Sequence, residues 1–331
     1  MTSTTAVPPA PGLAREPKLA KRDARQAAYD KTFKLVALLA GLSVLAILAL
    51  IAVSTTQKGW PAFSQLGGKY FFGTVWDPRG GHFGILPLVF GTFVVALIAV
   101  TFGVPTSLGI AMFISEVLPR RFRSIAITIM DLLAAVPSVV LGLWGFRVLA
   151  PKLQHVLDGP VHGTLGHIPV IGKLFGHSTG VGFMTAGLVV ALMITPIITA
   201  VTREVFATVP RNDKEGALAL GATRWEMIKG VMLPHSSGGI TGAVMLGLGR
   251  ALGETIAVAL LIGANPRISA NLLGTGDTMP AQIALNLSEA SGIFRSALIG
   301  LGVVLFVITI AINMSARRLV VIVDRRLKGA A

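Results

Sequence analysis

Arg203-Glu-Val-Phe-Ala-Thr-Val-Pro-Arg-Asn-Asp-Lys-Glu215-Gly-Ala-Leu-Ala-Leu-Gly221-Ala-Thr-Arg-Trp-Glu-Met-Ile-Lys-Gly-Val-Met-Leu233-Pro234-His235 is a polar interruption in an otherwise apolar chain. Directly after it comes an apolar stretch, Gly239 to Gly263, that carries Gly249-Arg250-Ala251-Leu252-Gly253-Glu254-Thr255 near its middle. A charged loop is thus set against a charged but lipid-like segment. The rest of the chain reads as a frame for that pair.

The frame is a membrane frame. Of 331 residues, 53% are hydrophobic and 13% charged, with a mean hydropathy of +0.74. Soluble domains carry about 25% charged residues, so this composition suits lipid. Six apolar stretches are each long enough to cross about 30 Å of hydrocarbon. They run over 35–55, 84–118, 125–150, 181–202, 239–263 and 294–317. Gly103-Val104-Pro105 should kink or break the second, Pro137 falls inside the third, and Pro196 should kink the fourth. The fold class expected is all-α, a polytopic membrane protein with six transmembrane helices.

Basic residues set the orientation, because they collect on the cytosolic side. The N-terminal tail (Arg15 to Lys34), Arg120-Arg121-Arg123, the loop with Arg203, Arg211, Lys214, Arg224 and Lys229, and the end from Arg317 to Lys328 all fall on one side. Both termini are therefore expected in the cytosol of a bacterial cytoplasmic membrane. The expected organisation is a basic tail over 1–34, a permease domain over 35–317 with an inner loop at 203–238, and a basic tail over 318–331. The formal charge of +14 follows from this placement and calls for membrane lipid, not nucleic acid.

Enzymatic signals are missing. There is no cysteine, no Gly-Lys-Ser/Thr phosphate loop and no Ser/His/Asp grouping, so neither catalysis nor a cofactor is expected. His155, His162, His167 and His177 in the outer loop 151–180 are irregularly spaced, without the regular pattern of a metal site. Asp131 lies inside the third stretch, as a pathway-lining or packing residue. Glu116, Arg203 and Glu204 sit near the inner surface, snorkelling or as solvated helix ends.

The inner loop reads as two short helices joined at Gly221, with Leu233-Pro234 ending the second. Leu218, Leu220, Trp225, Ile228 and Met232 give it an apolar side, either for the membrane underside or for a groove on a partner. In the stretch beyond, Arg250 and Glu254 share one helix face, about 16 Å in from Gly239. An ionised Arg at that depth costs at least about 2.5–3.5 kcal/mol. Gly249 and Gly253 would let a neighbouring helix approach closely. Either the pair neutralises itself and locks packing, or Arg250 meets an anion. Its planar fork suits an oxyanion.

Glu215, Ala217, Gly221, Val231, Leu233 and Pro234 resemble the cytoplasmic signature of importer-type ABC transporter permeases, with Gly216 where that family usually has Ala. Gly247-Leu-Gly-Arg-Ala-Leu-Gly-Glu-Thr-Ile-Ala-Val, Phe83-Gly-Ile-Leu-Pro-Leu and Val136-Pro-Ser-Val-Val-Leu-Gly-Leu-Trp-Gly are similar to the PstC-type permeases of phosphate importers. Ile256-Ala257 stands where the sister PstA-type has Ala-Pro. The resemblance implies a type I ABC importer fold and transport of inorganic phosphate driven by ATP hydrolysis on other subunits. It implies a PstA-like second permease, two PstB-like ATPase subunits and a PstS-like extracytoplasmic binding protein. It places Glu215, Gly216, Ala217, Gly221, Leu233 and Pro234 in ATPase coupling. Arg250 would meet substrate with Glu254 as its partner, and Thr255 and Ser138 would supply hydroxyls. The alternatives are an ABC permease for another oxyanion or small solute, and a secondary transporter, for which the chain shows no internal repeat of broken helices.

Overall fold

The computed structural model describes residues 17–156, 176 and 178–329, so the tail before Pro17 and the loop histidines His162, His167 and His177 lie outside the described residues. The chain forms two units, residues 1–54 and 55–331. Helix α1, Pro17–Leu66, contributes to both. In the first unit its large apolar side chains Phe33, Leu38, Leu45, Leu50 and Val53 are exposed. A helix apolar on every face is stable only inside a large core or in lipid.

The second unit begins with α2, Gly68–Phe72, and a short antiparallel hairpin that pairs β1, Trp76–Asp77, with β2, His82–Phe83. Helix α3, Leu86–Met112, continues through a π-helical turn, Phe113–Val117. Helix α4 is Arg120–Ala135. Helix α5, Ser138–Trp144, passes through a second π turn, Gly145–Leu149, into α6, Ala150–Val156. Then come α7, Phe183–Ala207, α8, Arg211–Ala219, and α9, Arg224–Met227. A third π turn, Ile228–Met232, leads into α10, Leu233–Gly253. The chain finishes with α11, Ile256–Leu261, α12, Met279–Asn286, and α13, Gly292–Gly329.

Among the described residues, four helical stretches are individually long and apolar enough to cross a membrane: Tyr29–Leu66, Leu86–Val117, Phe183–Ala207 and Gly292–Ser315. Of the two forms expected for the second span, the structure takes the single helix, with Pro105 inside α3. Two expected spans take a different form. The third is bent by 91° between α4 and α6's stretch, Ser138–Val156. Val136, with ψ of 125°, is forced out of the helical region by the ring of Pro137 behind it. The fifth is not one helix over 239–263 but α10 and α11, interrupted at Glu254 and Thr255. His235, Ser236, Ser237 and Arg250 also keep α10 from being apolar enough alone.

Helix α7 is the centre of the unit. Val189, Val190, Met193, Ile194 and Ile198 are buried against Val95, Ile98 and Ala99 of α3 and Ala243, Ala251 and Leu252 of α10. The backbones come close because glycine stands where a methyl would strike. A Cβ on Gly187 would meet Ile98 at 2.5 Å, and one on Gly103 would meet Ile194 at 2.8 Å. Two hydroxyls of α7 are satisfied by carbonyls, Thr195 donating to Ala191 at 2.7 Å and Thr199 to Ser107 of α3 at 3.2 Å, whereas those of Thr202 on α7 and Ser236 on α10 are buried without a partner among the described residues.

A second cluster, with Tyr70, Trp76, Phe83, Leu88, Met279 and Leu298, packs α2 and the hairpin against α3, α12 and α13. Here Thr92 of α3 accepts from the Met279 amide at 3.0 Å, and a Cβ on Gly91 would run into the Asp277 carbonyl. Backbone cannot rotate aside, so Gly91→Ala is expected to cost about 1–3 kcal/mol by overpacking. Thermal melting of the purified protein checks this, and an unchanged melting temperature would mean the 277–279 strap moves freely.

Asp277 itself, the first residue of that strap, is buried. Its carboxylate accepts from the Thr278 amide at 2.7 Å; with the Gln282 amide assigned the orientation its neighbours require, the Gln282 nitrogen donates to Asp277 at 2.7 Å and its oxygen accepts from the Trp76 indole N–H at 2.6 Å. Burial pushes the carboxyl up to about 7, against the opposing pull of the Thr278 amide. The folded chain therefore holds a proton that the unfolded chain has lost. The stability this group contributes is complete below about pH 4 and disappears as pH rises through about 7. Thermal melts from pH 5 to 8 are expected to show that decline, and Asp277→Asn is expected to flatten it.

Candidate translocation and coupling sites

Helix α10 ends because Glu254 turns extended, with ψ of 127°, and Thr255 donates its hydroxyl to the Gly253 carbonyl at 3.0 Å. The break lies between Arg250 and α11. It leaves the two charges close but unequal: Arg250 Nη2 stands 4.0 Å from Glu254 Oε2, with the arginine side chain 41% exposed and the glutamate 8%. The acid is held within the protein and the guanidinium is offered outward. Arg250 lines a cleft of about 950 Å³ with Met245 and Leu246 of α10, Ile310 and Met314 of α13, and a second cation, Arg317. Among the described residues, no atom beyond the helix's own backbone comes within 4 Å of where a Cβ would sit on Gly249 or Gly253. The close approach expected at these glycines is not made by another described helix, and that face is open to it.

Ser138 stands apart from the cleft. It opens α5, which packs through Gly142 on Ala257, two residues beyond Thr255, but no hydrogen bond joins Ser138 to Arg250, Glu254 or Thr255. The structure brings Arg250 and Glu254 together, while Thr255, whose hydroxyl is taken by Gly253, and Ser138, at a neighbouring helix start, do not line the cleft.

The inner loop folds as two helices around Gly221, whose φ of +88° lies in the left-handed region that glycine enters without strain. The Gly221 amide donates to Leu218 at 3.0 Å and the Ala222 amide to Ala217 at 3.1 Å, which closes α8. Thr223 starts α9 with a capping box: its hydroxyl accepts from the Glu226 amide, and the Glu226 carboxylate accepts from the Thr223 amide at 2.8 Å. Those bonds hold the Glu226 carboxyl below the usual range. A Cβ on Gly216 would meet nothing, so glycine there leaves α8 intact.

Leu233-Pro234 does not end the second helix. Helical backbone runs on from α9 through the π turn into α10, with the Leu233 amide bonded to Ile228 in the π register and Pro234 near the start of α10, where a missing N–H costs little. The apolar side also divides. Leu218, Leu220 and Trp225 are exposed, but Ile228 and Met232 are buried with Ala111 and Phe206 in a third core cluster. The loop is therefore anchored from below and presents a small apolar tip.

One tie was invisible in the sequence. Glu116, expected as a solvated helix end, forms a 2.7 Å ion pair with Lys214 of α8, both less than a fifth exposed. Arg224 adds a bond to the Glu116 carbonyl at 3.2 Å. These partners are about a hundred residues apart, beyond the reach of spacing rules.

A helical membrane frame, a broken charged helix and an anchored polar loop together define the translocating part of a membrane transport system. Residues 103–329 match the family described as the binding-protein-dependent transport system inner membrane component, and the chain belongs to that family. It is a multi-pass inner-membrane protein. The phosphate transport system permease protein PstC of Xylella fastidiosa (strain Temecula1) is 42% identical over 306 residues, 92% of this chain and 94% of that protein. PstC 1 of Mycobacterium tuberculosis is 41% identical over 254 residues, 75% of each chain. The fold is similar to a bacterial alginate ABC transporter in complex with a pentasaccharide-bound periplasmic protein, at TM-score 0.60 and 18% identity, over 90% of this chain and 97% of that one. It is also similar to the inward-facing MetNI methionine ABC transporter, at TM-score 0.52 and 17% identity, over 74% of this chain and 98% of that one.

Proposed function

We propose that the chain is one permease half of an ABC importer for inorganic phosphate, and that Arg250 is its anion contact. The observation that carries the site is the unequal exposure of a loose pair: a buried Glu254 and an outward-facing Arg250 on an open cleft. A pair that served packing alone would bury both ends and close to bidentate distance. The relatives named for phosphate transport support the choice of anion.

The partners are those that the resemblance to phosphate importers implies, and each has a surface to take. A PstA-like permease would bring a helix against the open face at Gly249 and Gly253 and complete the pathway. Two PstB-like ATPases would bind and hydrolyse ATP, with this chain making no covalent bond, and one would take the tip at Leu220 and Trp225. A PstS-like protein would deliver phosphate from outside. The termini lie in the cytosol, with 1–34 and 318–331 as basic tails flanking the permease domain. ATP-driven closure would push α8 and α9, and the continuous backbone from α9 to Gly253 would carry that motion to Arg250.

Uptake of labelled phosphate and labelled sulfate into vesicles holding the assembled complex tests this reading. ATP-dependent uptake of phosphate over sulfate is expected. Sulfate uptake in its place would leave an ABC permease and overturn the substrate.

A further inference from the structure

A second concavity, of about 500 Å³, lies beside the inner loop between the end of α3, α4, the end of α7 and α8. Arg120, Arg123, Arg203, Arg211 and Lys214 line it, against the carboxylates Glu116 and Glu215. Lys214 is engaged with Glu116, and Arg123 donates through Nε to the Leu118 carbonyl at 3.0 Å. The guanidiniums of Arg120, Arg203 and Arg211 form no hydrogen bond or ion pair with the described residues. Three guanidiniums are left facing one cleft, with Glu215 exposed on it.

The backbone adds to the positive field. Arg120 and Arg211 are the first residues of α4 and α8, and the positions before them are Pro119 and Pro210, which offer no side-chain acceptor. A helix start carries partial positive charge and favours anions. Here cations occupy it twice, in one cleft. Asp213 lies in the first turn of α8 but does not line the cleft. In the same wall the Ser115 hydroxyl is buried without a partner, within the π turn that ends α3. Arg203 is half-buried while Arg120 and Arg211 are exposed, and a concavity lined by unpaired charges of one sign concentrates ions of the other.

We infer that this cleft binds a phosphoryl anion, whose oxygens can take guanidinium forks from α4, α7 and α8 at once. Such an anion would staple α8 to the membrane helices and so set how far the inner loop moves. It comes from an anionic lipid headgroup or from free phosphate on the inner side. The choice of these two sources rests on the cytosolic orientation proposed above; the cleft does not depend on Arg250.

The test uses the assembled, delipidated complex in detergent, with amide exchange of residues 203–219 and binding as readouts. One arm adds phosphatidylglycerol, with phosphatidylcholine as control. The other adds inorganic phosphate, with Arg250→Gln as background so that pathway binding is absent. One probe is expected to bind, to slow exchange in α8, and to lose about ten-fold in affinity in R203Q/R211Q. Phosphatidylglycerol alone acting assigns a lipid; phosphate alone acting assigns a regulatory ion. Arg120→Gln, on a different helix, is expected to weaken the same probe and replaces the double variant if that does not assemble. The inference is overturned if neither probe slows exchange, as when the ATPase fills the cleft, or if these variants bind both probes as tightly as wild type.

Discussion

Phosphate uptake is expected to fall by about 100-fold or more when Arg250 is replaced by Gln, in a complex that still assembles and hydrolyses ATP. Losing one member of a desolvated, hydrogen-bonded charge contact costs about 2–5 kcal/mol, which sets that scale. Assembly should survive because the Arg250 side chain is 41% exposed, and its removal opens no void in the core around α7. Arg250→Lys keeps the charge but loses the fork and should recover only part of the rate. Glu254→Gln moves the system the other way: with its counter-charge gone, Arg250 should hold the anion more tightly, lowering KM and turnover together. Undiminished uptake in Arg250→Gln would return the pair to a packing role. Loss of uptake together with loss of assembly would not count for the pathway, which is why the lysine variant belongs in the same experiment.

The sequence made some of this architecture legible and hid the rest for identifiable reasons. Apolar length alone located α3, α7 and α13, because lipid demands long uninterrupted apolar helices and nothing competes with that signal. Proline was a poorer guide. Pro105 and Pro196 lie within continuous helices, Pro137 marks a 91° bend, and Pro234 lies near a helix start. A proline's effect depends on whether its neighbours can take up the freed carbonyl, and neighbours are not written locally. The break at Glu254 was hidden for a similar reason: i,i+4 spacing placed Arg250 and Glu254 on one face, but only the extended backbone after Gly253 shows that the acid lies at the end of the helix. Periodicity also could not separate Leu220 and Trp225 from Ile228 and Met232. All four are apolar, and only the packing of α3 and α7 against the loop decides which of them is covered.

That division of the loop leads to the second large effect. Leu220 is 91% exposed and Trp225 is 62% exposed, on either side of a turn fixed by left-handed Gly221 and by the Thr223–Glu226 capping box. Trp225 on a rigid, anchored tip matches the character of an interface hot spot, whose truncation costs about 2 kcal/mol or more, and Leu220 adds apolar area beside it. L220A/W225A is therefore expected to weaken ATPase binding by about 30-fold or more and to remove transport. The permease's own melting temperature should hardly move, since neither side chain supports a core. Gly221→Ala is the contrasting variant. A Cβ there would meet no atom, so its cost is the left-handed strain alone, about 1–2 kcal/mol, which loosens the turn and weakens docking less. Co-purification of the ATPase with the permease, measured beside the melting temperature, separates these outcomes. Wild-type stoichiometry in L220A/W225A would exclude the tip as the docking point and leave Leu220 and Trp225 as residues resting on the membrane underside.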